Sequence, residues 1–334
     1  VKFHILFLIS VLAAGCAGER EFPAVKKLSE YKQTEFAATP QEKLISGKNT
    51  VYSVPLLLAW QEVKKESGGD VKIDESNPSL ESLNSSTSWK NTLEKGEYQS
   101  SATVDSDGSI KAQAELSKAL PLKQPLKDYG TELKFDGEAV KSFGLKYTDY
   151  DFFGSTRILY YKDDTEFIVK LIPEDPEHEI LLYMPNKKYA TMQHMLDAMA
   201  EKIEAGKTEF KQYEKRWKFG IEVEGDEILI PKINFNIETN YTNIEGSTLD
   251  IKGKKHMIEE AWQRTAFMLD ELGAEVESEA EMETTTEEMP VVEEKPHPKK
   301  LRFDKPFFVV LKRNESHNPY FAMWVENTEL MLKQ

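Results

Sequence analysis

One large body of mixed α and β structure is predicted by three features of the sequence. Arg157 to Tyr161, Phe167 to Ile172 and Glu179 to Pro185 are apolar, β-rich runs in close succession, for which antiparallel pairing is the economical arrangement. Ala190 to Ile203 places Met192, Met195, Leu196, Met199 and Ile203 at helical spacing, a stripe that packs a core far more often than it binds a metal or ligand. Phe307 to Leu311 and Tyr320 to Val325 then read as two buried strands around the polar turn Asn314 to Asn318. With 40% apolar and 10% aromatic residues among 334, the chain can build one sizeable core, and no second domain is demanded.

The chain opens on Lys2 and His4, followed by the apolar run Ile5 to Leu12, which is too short to span a bilayer as a finished helix. Residues 1–15 therefore read as a signal peptide. The run leads into Ala13-Ala14-Gly15-Cys16, which resembles the lipobox at which bacterial lipoproteins are cleaved and acylated on the cysteine. Cys16 is the only cysteine, so an intramolecular disulfide is excluded and a Cys-based zinc site lacks its thiols. The expectation is an exported cell-envelope lipoprotein, periplasmic or surface-exposed, with residues 16–27 as tether and 28–334 as the folded domain.

Leu28 to Ala37 has the look of a first amphipathic helix. Thr50 to Ser53 reads as a strand feeding a buried helix opened by Pro55. Glu66 to Ser109 is polar and has no sustained period of 2 or 3.6, so no element is placed there. Short apolar segments return at Ala114 to Leu126 and Thr131 to Phe143. Trp217 to Val223 and Glu227 to Thr239 alternate, the latter through Ile228, Ile230, Ile233, Phe235 and Ile237. His256 to Met268 reads as helix passing into strand.

The formal net charge is −15, and eleven of the 58 carboxylates lie between Asp270 and Glu294, a stretch without Lys or Arg. The other 47 acidic residues nearly balance 43 basic ones. No basic face is visible, so nucleic acid is not an expected partner. The pairs Lys254-Lys255 and Lys299-Lys300 read as solvated surface. The six histidines show no nucleophile context and no metal-ligand spacing, so the chain is read as neither an enzyme nor a holder of metal or cofactor.

Four motifs in the second half resemble those of the serpins, in family order. Ile168-Val169-Lys170-Leu171 with Ile180 to Pro185 is similar to two serpin B-sheet strands. Ile230-Pro231-Lys232-Ile233 to Glu238 resembles the run that leads from Leu-Pro-Lys-Phe into an alternating strand. Ala261 to Glu275 aligns without a gap to the strand before the reactive loop, whose hallmark is acidic-acidic-x-Gly-Thr-Glu-Ala. Phe303-Asp304-Lys305-Pro306-Phe307 and Phe321 to Asn327 are similar to the steps that follow that loop. Departures are Met323 and Thr328 in the closing motif, Val54 in an otherwise Phe-x-Ser-Pro-like step, the lack of a Trp near Leu120 to Leu126, and shortened helices between Lys65 and Lys146.

The resemblance implies an α+β serpin-like fold with a large central mixed β-sheet, a second β-sheet, surrounding helices and an exposed reactive-centre-like loop at about 273–302. It implies a protease inhibitor acting as a suicide substrate, in which the cut loop inserts its N-terminal part into the central sheet. Insertion sets a test, because successive side chains of a strand face opposite ways. From the hinge Glu271 and Gly273 onward, Ala274, Val276, Ser278, Ala280 and Met282 fall on one parity, and Glu275, Glu277, Glu279, Glu281 and Glu283 on the other. No Gly or Pro interrupts Ala274 to Glu288. Against insertion, carboxylates at two-residue spacing lie roughly 7 Å apart and repel. One alternative is a non-inhibitory serpin-fold envelope lipoprotein used for binding; another is a cell-surface binding lipoprotein for glycans or a host factor, with Trp89, Trp217 or Trp262 available to stack on a sugar, which would need no serpin-like hinge.

The family's count puts the scissile bond at Glu287-Glu288. The loop is several residues longer than usual, which brings Thr286 and Met289 into the candidate region as well. This bait suits a Glu-preferring or broad-specificity serine protease, or a cysteine protease, and suits a trypsin-like enzyme poorly. The other expected association is with the membrane, through the lipid on Cys16.

Overall fold

The computed structural model describes residues 21–69, 71–73, 77–104, 110–275 and 296–333. Its largest sheet has seven strands. Thr156–Asp163, Glu166–Leu171 and His178–Met184 form the antiparallel succession read from the sequence. Phe307–Arg313 and Phe321–Val325 follow, then Asn49–Ser53 and Thr34–Ala37, the last two pairing in parallel. His178–Met184, Phe307–Arg313 and Phe321–Val325 are buried on both faces, which is why their sequences are nearly continuous apolar runs.

A five-stranded mixed sheet has the order Lys26–Lys27, Ile233–Asn240, Trp262–Asp270, Gly273–Ala274, Leu120–Pro121. Only Ile233–Asn240 and Trp262–Asp270 are long, at 8 and 9 residues. Phe267 joins this sheet to the seven-stranded one by stacking on Phe321, ring centroids 4.3 Å apart. A four-stranded sheet, Lys300–Arg302, Glu227–Pro231, Glu138–Lys146 and Lys127–Phe135, lies at the other end of the loop. The fold is thus α+β, and among the described residues all the buried apolar side chains but Met268 form one cluster, from Ala37 to Met331.

Pro55–Glu66 and Met192–Phe210 are helices, the first opened by Pro55 and the second capped by the Thr191 hydroxyl, which accepts from His194 N–H. In the polar stretch where no element was read, Asn77 caps a helix over Pro78–Ser85 by accepting from Ser79 and Leu80 N–H. The hairpin of Tyr98–Val104 and Ile110–Leu116 follows. Glu97 ties its base to the large sheet, taking bonds from Lys118 Nζ (2.7 Å) and Arg313 Nη1 (2.8 Å) and lying 3.1 Å from His178 Nε2. Burial opposes ionisation of Glu97, but the Glu94 backbone, Lys118 and His178 outweigh it and hold the carboxyl at about 2.

Three readings of the sequence are corrected. Leu28 to Ala37 is no helix but a 3-10 turn, Leu28–Glu30, and the strand Thr34–Ala37. A distant partner decides this, because the Glu329 carboxylate accepts from Lys32 N–H, Gln33 N–H and the Thr34 hydroxyl and holds the chain extended. His256 to Met268 holds no helix either: Thr248–Ile251 and Lys254–Met257 form a hairpin through Lys252 and Gly253, both at positive φ as a type I′ turn requires. Trp217 to Val223 is not a strand, since Tyr213–Phe219 is 3-10 helical and the next turn is held by Asp226 Oδ2, which accepts from Glu222 and Val223 N–H.

Candidate functional site

The candidate site is the pair of stems that flank residues 276–295, one ending at Glu275 and the other beginning at Pro296. At the N-terminal stem, Trp262–Asp270 turns sharply and the chain comes back antiparallel to itself, with Leu269 opposite Ala274 and Asp270 opposite Gly273. On its other side Gly273–Ala274 pairs antiparallel with Leu120–Pro121. The turn is held by Asp270 Oδ1, which accepts from Leu272 N–H, and by Leu122 and Leu126 N–H donating to the carbonyls of Leu272 and Glu271. Pairing continues one residue into the loop, where Glu275 N–H donates to Met268 O at 3.3 Å.

Gly273 has φ +125°, and a Cβ there would lie 2.2 Å from the Leu120 carbonyl oxygen. Only glycine allows so close an approach of backbone. Glu271 is clamped by Lys232, 2.5 Å from its Oε2, and the same ammonium donates to Asp128 Oδ2 at 2.8 Å. Burial works against the Lys232 ammonium, yet the two carboxylates outweigh it and raise its pKa. Lys232 also lowers the pKa of Asp128. The sequence placed Lys232 in a motif without a role; here it joins three sheet segments at the hinge.

The C-terminal stem overturns the reading of Lys299 as solvated surface. Its side chain is fully buried against Asp226, likewise 0% exposed. Lys299 Nζ donates to Asp226 Oδ2 and to the Trp217 carbonyl, both at 2.8 Å, and lies over the Trp217 ring. Lys299 N–H donates to Asp226 Oδ1 at 2.6 Å, and its carbonyl accepts from Glu227 N–H at 2.9 Å. Losing one partner of such a pair would leave a buried, uncompensated charge, a cost of about 3–5 kcal/mol. Lys254, Lys255 and Lys300 are exposed, as read.

Of the residues singled out in the sequence, the structure brings Glu271, Gly273, Ala274 and Glu275 together at the hinge, with Ala274 buried and Glu275 partly exposed. Val276, Ser278, Ala280, Thr286, Glu287, Glu288, Met289 and Cys16 lie outside the described residues. Of the aromatic candidates, Trp217 is core, Trp89 is half-buried, and Trp262 is exposed at the far end of its strand. Among the described residues no group of three or more His, Cys, Asp or Glu is placed to hold a metal ion, and no helix is long and apolar enough to cross a membrane.

No protein-family model matches the chain, and no curated protein matches it. The solved structures similar to it include three serpins. Thyroxine-binding globulin in complex with thyroxine is 12% identical, with a TM-score of 0.31, over 65% of this chain and 55% of that one. Mouse protein Z-dependent protease inhibitor is 12% identical at TM-score 0.39, over 65% and 54%. SRPN18 from Anopheles gambiae is 11% identical at TM-score 0.36, over 62% and 53%. The match thus spans about half the length of each. At this identity and overlap the likeness assigns no role to this chain, whose activity rests on its own residues.

Proposed function

We propose that the protein is a protease inhibitor that acts as a suicide substrate, by cleavage of the loop and insertion of its N-terminal part as a strand. One observation carries this reading: Gly273–Ala274 already pairs as a strand between Trp262–Asp270 and Leu120–Pro121. Extending that register puts Val276 opposite Phe267, Ser278 opposite Thr265 and Ala280 opposite Gln263. Those three partners are buried. Glu277, Glu279 and Glu281 would stand opposite Ala266, Arg264 and Trp262, none of them buried. The parity of the loop therefore fits the parity of the strand it would join, and the Arg264 guanidinium offsets part of the repulsion among the glutamates. Among the described residues no strand pairs with Trp262 to Phe267 on that side.

The partner in this reading is a Glu-preferring or broad-specificity serine protease, or a cysteine protease, cutting within Thr286 to Met289. A panel of such enzymes, each incubated with the protein and run on denaturing electrophoresis, tests it. The expected result is a complex that survives denaturation with at least one of them. Cleavage of the loop by several enzymes with no complex from any would replace inhibition with the non-inhibitory binding role.

The reading includes export and anchoring, with residues 1–15 removed and Cys16 acylated. It is supported by the leader and the small residues before the sole cysteine. Cys16→Ala should release the protein from the membrane fraction; unchanged fractionation would remove the lipid anchor from the account.

A further inference from the structure

From Asp270 to Glu294 the loop has no Lys or Arg, and the next cation, Lys295, is followed by Pro296, a bond most proteases resist. The first bond that a trypsin-like enzyme could use is therefore Lys299-Lys300, with Lys300-Leu301 beside it. Cleavage there needs the Lys299 side chain in a specificity pocket and its carbonyl in an oxyanion hole. Neither is on offer. Nζ is held by Asp226 and the Trp217 carbonyl, N–H by Asp226, and the carbonyl by Glu227 N–H. Beyond it, Lys300 N–H donates to Asp164 Oδ1, and Lys300 pairs with Glu227 in a parallel ladder in which Leu301 is buried.

We propose that Asp226 is a specificity-determining residue: by locking Lys299 it removes the first cationic cleavage point of the loop's C-terminal stem and screens the bait against trypsin-like proteases. A partner is excluded here by withholding a contact, as specificity often requires. The inference rests on the bait-loop reading above, but its test reads where the chain is cut rather than whether a protease is trapped, so the two can fail separately.

The test is timed digestion of the native protein by trypsin, with cut sites located by intact mass. It compares wild type with Glu287→Lys, which puts a cation into the loop, and Asp226→Asn, which removes the counter-charge of Lys299. Wild type should be cut at Lys299-Lys300 at least about a hundredfold more slowly than Glu287→Lys is cut after residue 287, because the stem must first open locally. Asp226→Asn should gain a first cut at Lys299-Lys300.

Comparable rates in wild type and Glu287→Lys would overturn the proposal. So would an Asp226→Asn protein with wild-type circular dichroism and no cut at Lys299-Lys300. If neither wild type nor Glu287→Lys is cut, the loop is hidden and the lock screens nothing, which also sinks the idea. Should Asp226→Asn unfold outright, the comparison of wild type with Glu287→Lys decides.

Discussion

Val276→Arg and Ala280→Arg are expected to abolish inhibition while leaving the uncut protein folded, and Glu277→Arg to do far less. If insertion continued the register set by Ala274 opposite Leu269, positions 276 and 280 would come opposite Phe267 and Gln263, which are buried. An arginine there would bury an unpaired charge only in the inserted state, a penalty of several kcal/mol. Residue 277 would face Ala266 on the outer side and keep its side chain in water. The measurement is residual protease activity against each variant at matched concentrations. Equal damage from Glu277→Arg and Val276→Arg would mean that the strand does not enter in this register.

The same substitutions separate inhibition from loss of stability. Each residue lies beyond Glu275, whose N–H donates to Met268 O, and in this reading it packs into the sheet only after cleavage. The cost of the arginine therefore falls on the product of cleavage, and the melting temperature of the uncut variants should match wild type. This pattern, an intact fold with a failed trap, is what a merely structural role for Val276 would not give.

How far the sequence could be read depended on what decides each element locally. Glu166–Leu171, His178–Met184 and Phe307–Arg313 were legible because burial on both faces leaves continuous apolar runs. The helix at Met192–Phe210 was legible from its period, although it runs on past Ile203 where the stripe ends. Thr34–Ala37 was not legible, because Glu329, some three hundred residues away, supplies the partners that keep it extended. The hairpin at Lys252 and Gly253 carried a turn signal in its glycine, but charged residues around it hid the alternation.

At the candidate site, Glu271, Gly273 and Ala274 were singled out through a motif, and the structure gives the glycine at 273 a physical reason in the approach of Leu120. The Lys232 clamp and the Lys299–Asp226 lock were not. A lysine beside another lysine in an otherwise polar segment gives no sign of being buried; Lys299 is, because Asp226 and the Trp217 carbonyl lie within 2.8 Å of its ammonium. Only the fold brings Asp226 across from a position 73 residues later.

The central claim is that the free loop is a strand waiting to be added, and the melting temperature before and after nicking tests it most directly. Cutting the wild-type loop within Thr286 to Met289 frees residues 276 to about 282 to continue the pairing begun at Gly273–Ala274. New ladder hydrogen bonds at about 1 kcal/mol each, with burial of Val276 and Ala280, should exceed the ordering entropy of the segment by a few kcal/mol. At about 2–4 °C per kcal/mol, the nicked protein should melt on the order of 10 °C higher than the intact one. A nicked protein that melts at or below the temperature of the intact protein would contradict insertion.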